Sequence, residues 1–527
     1  MISSIASLKI PEISQRMTVK FAPAMEPKVE NAPMTVKFVT NEYLTMLRAS
    51  TLNICPTISL QLDNLKTTPR SHCTMVIPDE SAWNDNLGSV YRQRLLLVSL
   101  GKEKDVTLNC IRKCVNTATT TLQGLDQTSA VMEIPTIPSI PAEDIASAMA
   151  NIVVCSNHLV HDGKYFTKEK PTLLKEVTLI PDKPAEEADN AKLAQATKFG
   201  ALLGEGTVNA RSWANEQSSE LDPRGLELLC RQICDRDNIE ISVLQAPELS
   251  KESLGLLAAV GSGAACPPRL IVMTYIGDNT KPQFTALVGK GVCFDAGGMN
   301  LKPTGHIEDM QLDKGGAAAV VGAMDTLARM NAPVNVVGVI PAVENLVDNQ
   351  SYKPGAIIRS CDGKFVEVCN TDAEGRLILA DAMAYVQKKY ELESMVDIAT
   401  LTGAICVGLG EYTAGLFSNN EEMVKSIVEA GKRTHERCWP MPIEEEHEEE
   451  IKSCRVADLR SMGLGRDGGA CTAAAFLKQF VVDDLPWAHL DIAGTGMATK
   501  QMDWIPQGGT GFGVQLLVDW LLNRYMK

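Results

Sequence analysis

Long apolar runs are absent from this 527-residue sequence. No stretch of roughly 18 or more apolar residues occurs, so the sequence contains no candidate membrane span. The N-terminal segment MISSIASLKIPEISQRMTVKF includes Pro11 and Glu12 and lacks the continuous apolar segment of a secretory signal. We therefore expect a soluble protein of the cytoplasm, with a cleaved organellar leader as the open alternative.

A surplus of positive charge is also absent. Lysine and arginine total 50 residues, whereas aspartate and glutamate total 65, which gives a formal net charge of −15. Proteins that bind nucleic acid through its phosphates carry the opposite balance. We therefore expect neither nucleic acid nor a membrane among the partners of this protein.

Cysteine is plentiful, with 15 residues, but the regular spacing of disulfide frameworks and zinc fingers is lacking. Cys230 and Cys293 lie within apolar stretches, which is typical of free thiols in a reducing compartment. Cys110 and Cys114 are four residues apart, and no second Cys or His pair follows them at finger spacing. A buried helix face is the favoured interpretation of this pair, and a metal pair is the alternative.

The chain is long enough for two or three domains, and 45% of its residues are hydrophobic. Residues 1–185 mix short apolar runs with turn-rich stretches and predict a smaller N-terminal α/β domain. Residues 186–527 alternate buried strands with helices, which favours a mostly parallel sheet flanked by helices on both faces. In such folds ligands bind beyond the C-terminal ends of the strands.

Three segments at predicted strand ends are rich in charge. VGKGVCFDAGGMNLKP follows one strand, EDMQLDKGG precedes a helix, and NTDAEGRLILADA opens another helix. Buried lysine is rare unless it is paired or coordinated, and paired glycines allow the backbone to approach a ligand closely. The candidate residues of these segments are Lys290, Asp295, Lys302, Asp313, Asp372, Glu374 and Arg376.

Four carboxylates in one cleft would repel one another unless cations lie between them. Two divalent ions would meet this need, because zinc, manganese and magnesium all accept carboxylate oxygens. The spacing of Asp372, Glu374 and Arg376 predicts an extended segment that directs all three side chains to one face. Arg376 could then hold an anion or a developing oxyanion.

These segments resemble the leucyl aminopeptidase family, the two-metal cytosolic aminopeptidases, over roughly residues 190–527. The resemblance implies a homohexamer of two-domain subunits with two divalent metals per subunit, zinc, manganese or magnesium. It further implies hydrolysis of the N-terminal residue, preferably leucine or another apolar residue, from peptides with a free N-terminus. In that family the reaction proceeds through a metal-bridged water.

The resemblance also implies a role for each candidate residue. Lys290 would bind metal as a neutral amine, Lys302 would contact the substrate carbonyl oxygen, and Arg376 would hold a bicarbonate ion that acts as general base. The pocket for the first side chain would be lined by Met310, Thr400 and Ala493. One metal would be held by Lys290, Asp295, Asp313 and Glu374, and the other by Asp295, Asp372 and Glu374.

Two positions depart from the family's pattern. Ala296 stands where serine is common, and Lys314 stands where methionine is common. We expect the Lys314 side chain to point to solvent. A non-catalytic, metal-containing hexameric scaffold or regulatory protein is the alternative function. A nucleotide enzyme is a weaker alternative, because the glycine-rich segments lack the GxxxxGK[ST] spacing.

Overall fold

The structure, a computed structural model, describes residues 17–23, 33–51, 62–63, 65–78, 92–160, 170–183, 186–237, 239–465 and 467–525. Residues 1–16, which carry most of the segment examined for a secretory signal, lie outside these ranges. The described residues form two compact units, a smaller one within 17–205 with 503–505, and a larger one within 206–502 and 506–525. The predicted domain limits of 1–185 and 186–527 stay a prediction.

The smaller unit is an α/β domain built on a six-stranded sheet in the order β1-β6-β5-β2-β4-β3. All described pairings are parallel except that of β3 with β4. The strands are β1 Thr18–Phe21, β2 Met34–Thr40, β3 His72–Pro78, β4 Arg92–Gly101, β5 Ser129–Ile134 and β6 Glu176–Pro181. The helices are α1 Asn41–Thr51, α2 Leu108–Gly124 and α3 Ala142–Ser156, and α4 Glu187–Asn215 continues into the larger unit.

The larger unit alternates strands and helices along the chain. Its helices are α5 Pro223–Asp237, α6 Ala246–Lys251, α7 Gly255–Val260, α8 Gly315–Arg329, α9 Glu374–Lys389, α10 Gly403–Leu409, α11 Glu421–Thr434, α12 Glu445–Lys452, α13 Gly469–Lys478 and α14 Val514–Tyr525. Its longer strands are β7 Glu240–Leu244, β8 Arg269–Ile276, β9 Phe284–Gly289, β10 Gly291–Asp295, β11 Asn335–Asn345, β14 Leu392–Ala399, β15 Ala414–Ser418 and β18 Trp487–Asp491. The short strands are β12 Ile357–Arg359, β13 Phe365–Glu367, β16 Cys438–Pro440, β17 Leu459–Arg460, β19 Met497–Ala498 and β20 Gly508–Gly509.

Nine of these strands form the main sheet of the larger unit, in the order β16-β15-β18-β14-β9-β11-β8-β7, with β10 beside β11. The central strands β18, β14, β9 and β11 are parallel, and so are the pairs β10 with β11 and β15 with β16. The pairs β15 with β18, β8 with β11 and β7 with β8 are antiparallel. The predicted fold class, a two-domain α/β chain with a mostly parallel C-terminal sheet, is confirmed.

Helices cover both faces of the central strands. Ala286 and Val288 of β9 belong to the same apolar core as Leu377 of α9. On the opposite face, a Cβ atom built on Gly289 would lie 2.8 Å from the Cα of Ala317 in α8. Strands buried on both faces carry few polar residues, which explains the short apolar runs of the sequence, such as FTALVG in β9. Among the described helices, none is both long and apolar enough to span a bilayer.

Candidate metal centre

Lys290 is the centre of one group of charges at the strand ends. It follows β9 directly and is 3% exposed. Its Nζ atom lies 2.8 Å from Asp313 Oδ2 and 2.8 Å from Glu374 Oε1, and donates to the carbonyl of Thr400 at 3.0 Å. Asp313 lies in the 3₁₀ turn Met310–Lys314, and Glu374 is the first residue of α9.

Lys302 is the centre of a second group. Its Nζ atom lies 2.9 Å from Asp295 Oδ2 and 2.6 Å from Asp372 Oδ1. Asp295 is the last residue of β10, and Asp372 lies in the 3₁₀ turn Thr371–Ala373 immediately before α9. The structure therefore brings the four predicted carboxylates together with both predicted lysines.

The carboxylates are held in a poorly solvated environment with too little positive charge. Burial, together with the Asp295 carboxylate, raises the pKa of Asp313 to about 6 and that of Glu374 to about 8. Burial and Asp295 also raise the pKa of Asp372. Two ammonium groups offset half of the charge of four carboxylates, so the cluster favours additional cations.

The lysines remain protonated in this arrangement. Burial alone lowers the pKa of Lys290, but the carboxylates of Asp313, Glu374 and Asp295 outweigh it and leave the pKa raised. Burial likewise acts against Lys302, and Asp295 and Glu374 raise its pKa above the ordinary value. Each lysine therefore supplies a positive charge between two acids.

The donor set fits divalent cations. Asp295, Asp372 and Glu374 each offer a carboxylate oxygen, and these atoms lie within 4.8 Å of one another. Oε2 of Glu374 is buried and has no hydrogen-bond partner in the described part of the chain. A buried carboxylate oxygen without a donor is costly, and a metal ion would satisfy it.

The prediction that Asp372, Glu374 and Arg376 share one face of an extended segment is wrong. Residues 371–373 form a 3₁₀ turn and α9 begins at Glu374. The Asn370 side chain accepts a hydrogen bond from the Asp372 backbone N–H at 2.8 Å, which starts the turn as an N-cap does. Residues two apart on a helix point in different directions, so Glu374 faces Lys290 whereas Arg376 reaches a different backbone segment.

Arg376 is buried and incompletely paired. It is 7% exposed, and its Nη1 atom donates to the carbonyl of Ser461 at 2.9 Å. Its Nε–H has no hydrogen-bond partner among the described residues. Burial lowers the pKa of Arg376 to about 10, while Glu374 and Asp491 act in the opposite direction. The guanidinium thus stays charged at neutral pH with a donor to spare.

The three predicted pocket residues lie in different settings. Met310 is half-buried and begins the turn that carries Asp313. The Thr400 hydroxyl donates to Asp313 Oδ1 at 2.7 Å, so this residue also orients a carboxylate. Ala493 packs in an apolar cluster with Ile405 and neighbouring side chains. Their shared role in a pocket stays a prediction.

The expectation that Lys314 points to solvent is wrong. Its side chain is 1% exposed and donates to the carbonyls of Glu216 at 2.8 Å and Gln311 at 2.6 Å. Burial lowers its pKa to about 8. Two backbone carbonyls, one from Glu216 far away in the sequence and one from Gln311 in the same turn, replace water around the ammonium group, which is why a lysine is tolerated inside the unit.

Four uncharged residues near the cluster escaped the sequence analysis: Asn300, Asn345, Tyr352 and Thr371. Asn345 donates to Asp295 Oδ1 at 2.8 Å, and Tyr352 donates to the Thr371 carbonyl at 2.7 Å. Asn345 lies two residues after the apolar run NVVGVIPAV and Thr371 lies within NTDAEGRLILADA, so closeness to an apolar run or to the candidate ligands could have identified both. Charge alone could not have identified them, because both residues are neutral.

Comparison with known proteins agrees with this geometry. The sequence profile of the cytosol aminopeptidase family, catalytic domain, matches residues 208–518, and that of the family's N-terminal domain matches residues 84–162. A probable cytosol aminopeptidase of Geobacter sp. (strain M21) is 38% identical over 438 residues, which cover 83% of this chain and 87% of the relative. One of Rhodopseudomonas palustris (strain BisA53) is 41% identical over 433 residues, covering 82% and 85% of the two chains.

Solved structures give the same result. The bottromycin maturation enzyme BotP, in complex with Mn, superimposes with a TM-score of 0.80 at 28% sequence identity, over 94% of this chain and 99% of BotP. The profile and sequence matches support a metal-dependent hydrolase that acts as an aminopeptidase. The chain therefore belongs to the cytosol aminopeptidase family.

Proposed function

We propose that this protein removes the N-terminal residue of peptides by metal-assisted hydrolysis, with a preference for leucine and other apolar residues. The observation that carries the proposal is the convergence of four carboxylates and two lysines in one cluster, where one buried Glu374 oxygen has no partner in the described part of the chain. Such a site suits two divalent ions of zinc, manganese or magnesium.

We assign Asp295 and Glu374 to both metals, as the resemblance to the family implies; each offers a carboxylate oxygen to the described cluster. Lys290 and Asp313 complete one set of ligands, and Asp372 completes the other. When bound, the metals supply Lewis acidity and activate a water molecule for attack on the peptide carbonyl. Lys290 would have to lose a proton to serve as a ligand, since only the neutral amine carries a lone pair.

Lys302 is assigned to the substrate carbonyl. Its ammonium group is held between Asp295 and Asp372, and its raised pKa keeps it protonated at neutral pH. A fixed ammonium group stabilises the negative charge that develops on a carbonyl oxygen under attack. The side chain is 16% exposed, which leaves it accessible to a substrate.

Arg376 is assigned to a bicarbonate ion. The buried guanidinium remains charged, and its Nε–H lacks a partner among the described residues. A bound bicarbonate would satisfy this donor and could accept the proton that the attacking water loses.

The expected preference for leucine rests on Met310, Thr400 and Ala493. Ala493 belongs to an apolar cluster that includes Ile405 and Phe417. A pocket lined by such side chains would favour an apolar first residue over a charged one. We also propose that the enzyme acts in the cytoplasm on peptides with a free N-terminus, in keeping with the names of its relatives. The homohexamer is proposed from the resemblance to the family.

The proposal can be tested with fluorogenic substrates that carry different N-terminal residues. Release of the fluorophore from leucyl substrate should exceed release from glutamyl or lysyl substrate, should stop after full chelation, and should return with Mn²⁺ or Zn²⁺. Undiminished activity in the chelated protein would contradict it. A protein that binds metal and cleaves no N-terminal residue would favour the scaffold alternative.

Two substitutions test the assigned roles within the same assay. Lys302→Ala and Arg376→Ala should leave the metal content unchanged and lower kcat by about 100-fold, the usual effect of removing a group that stabilises developing charge. Metal content measured by elemental analysis is the control. An unchanged kcat in both variants would contradict the roles.

A further inference from the structure

Asn345 links the two segments that carry the candidate metal ligands. It is the last residue of β11, is 0% exposed, and pairs with Asp295 in the β10–β11 ladder. Its Nδ2 group donates to Asp295 Oδ1 at 2.8 Å and to the carbonyl of Thr371 at 3.0 Å. Because Thr371 precedes Asp372, one amide fixes the position of Asp295 relative to the turn that carries Asp372.

The same amide sets the orientation of the Asp295 carboxylate. Oδ1 accepts hydrogen bonds from Asn345 and from the backbone N–H of Gly297 at 2.9 Å. Oδ2 faces the Lys302 Nζ atom at 2.9 Å. Since neutral donors hold one oxygen away from the cluster, the other is directed toward its cations.

Both hydrogen bonds need a side chain with two donors. An aspartate of the same size would place a carboxylate against the Asp295 carboxylate and the Thr371 carbonyl, which are both acceptors. The Oδ1 atom of Asn345 is buried and has no hydrogen-bond partner among the described residues. The orientation of the amide is therefore set by its two N–H donors.

We infer that Asn345 is a positioning residue for the proposed reaction: it directs Asp295 Oδ2 to the metals and fixes the spacing between Asp295 and the Asp372 turn. This inference rests on the proposed function. Its evidence is a pair of hydrogen bonds from a neutral amide at the end of β11.

The Thr371 side of the link has other anchors. The Thr371 carbonyl also accepts from the Tyr352 hydroxyl at 2.7 Å, and the Thr371 hydroxyl donates to the Gly297 carbonyl at 2.7 Å. Asn300 accepts from the Thr371 backbone N–H at 2.9 Å. These bonds persist without Asn345, so its replacement should leave the turn folded and act chiefly on Asp295.

The test replaces Asn345 with leucine, which is similar in size and has no donors, and compares Asn335→Leu. Asn335 begins the same strand, is 3% exposed, and donates to two backbone carbonyls, those of Asp278 and Lys281, at 2.9 Å each. Calorimetric titration of the chelated full-length protein with Mn²⁺ should show an affinity loss of about 10- to 100-fold for Asn345→Leu only. At saturating Mn²⁺, kcat for leucyl substrate should fall more than KM changes.

If Asn345→Leu does not fold, Asn345→Ala serves as a second variant, and it should show the same loss of Mn²⁺ affinity. The inference is overturned if Asn345→Leu and Asn335→Leu melt at the same temperature and Asn345→Leu keeps the wild-type Mn²⁺ affinity and kcat. A wild-type protein that binds Mn²⁺ but cleaves no substrate would overturn the proposed function alone, because the Mn²⁺ affinities still test Asn345.

Discussion

Gly375 shows at the residue scale how closely the backbone approaches the candidate site. A Cβ atom at this position would lie 2.5 Å from Lys290 Cε and 2.8 Å from Lys290 Nζ. Contacts this short do not occur between non-bonded atoms, so one of the groups must move. The backbone of α9 is fixed by its hydrogen bonds, whereas the end of a lysine side chain is flexible. Lys290 would therefore move away from Asp313 and Glu374.

We accordingly predict that Gly375→Ala lowers kcat/KM by at least about 10-fold with little change in melting temperature. The lost ion pairs of Lys290 disturb the metal ligands, but alanine favours a helix by up to about 1 kcal/mol over glycine, which offsets part of the strain. Hydrolysis of leucyl substrate and thermal melting measure the two effects. Gly408→Ala is the control, since Gly408 lies in α10 with open space at its Cβ position. An equal kcat/KM for the two variants would contradict the prediction.

Individual elements show which parts of the structure could be predicted from sequence. The apolar run RLIVMTYI indicates a buried strand by itself, because a strand that is buried on both faces needs a continuous apolar run, and the structure places β8 at Arg269–Ile276. The candidate ligands were identified because charge at strand ends is unusual. The geometry of residues 371–376 was predicted wrongly, since alternation of charges every second residue fits both a strand and a tight turn.

Other features of these elements are not encoded locally. The Lys314 ammonium lies on the carbonyl of Glu216, almost 100 residues earlier in the sequence, and only tertiary packing creates that contact. Asn345 has no charge and is the last residue of an apolar strand, so its link to Asp295 depends on the β10–β11 register. Sequence patterns predict which side chains are unusual, whereas the neutral groups that orient them emerge from the fold.

Asp381 gives α9 a pH-dependent contribution to stability. The side chain is 0% exposed and accepts from the backbone N–H groups of Leu257 at 3.0 Å and Cys361 at 2.7 Å. Burial raises its pKa to about 7, although these hydrogen bonds act in the opposite direction. Between about pH 4 and pH 7 the folded state binds this proton more strongly than the unfolded state. The free energy of unfolding therefore falls as the pH rises through this range.

In the wild-type protein, the unfolding free energy should decrease by on the order of 2 kcal/mol between pH 5 and pH 8 because Asp381 ionises. We predict that this decrease is absent in Asp381→Asn, because asparagine cannot ionise. Denaturant unfolding at several pH values measures the slope for each protein. Glu448→Gln is the control: burial alone raises the pKa of Glu448, but hydrogen bonds from Lys478, Gln479 and Lys452 lower it to about 2. Glu448 titrates below this pH range, so the control should keep the wild-type slope. A wild-type slope for Asp381→Asn would contradict the prediction.

The exposed apolar surface of the larger unit matters at the scale of the whole molecule. Val407 is 90% exposed, Leu464 66%, and Trp439 62%. Trp439 lies on β16, which is an edge strand of the nine-stranded sheet. Edge strands and exposed large apolar side chains are stabilised when another chain covers them. These features support the proposal that several copies of the chain associate.

Light scattering coupled to size-exclusion chromatography tests the proposed homohexamer, because six chains of 57.1 kDa give a mass of about 343 kDa. Trp439→Glu adds a charge that must be desolvated if β16 is covered, so the variant should dissociate to smaller species at low protein concentration. Lys425→Glu is the matched control, since this exposed lysine on α11 carries no apolar surface of similar size. A wild-type mass of 57.1 kDa at every concentration would contradict the hexamer. A hexameric Trp439→Glu variant would instead exclude β16 from the interface, because a buried glutamate without a partner is too costly to be tolerated there.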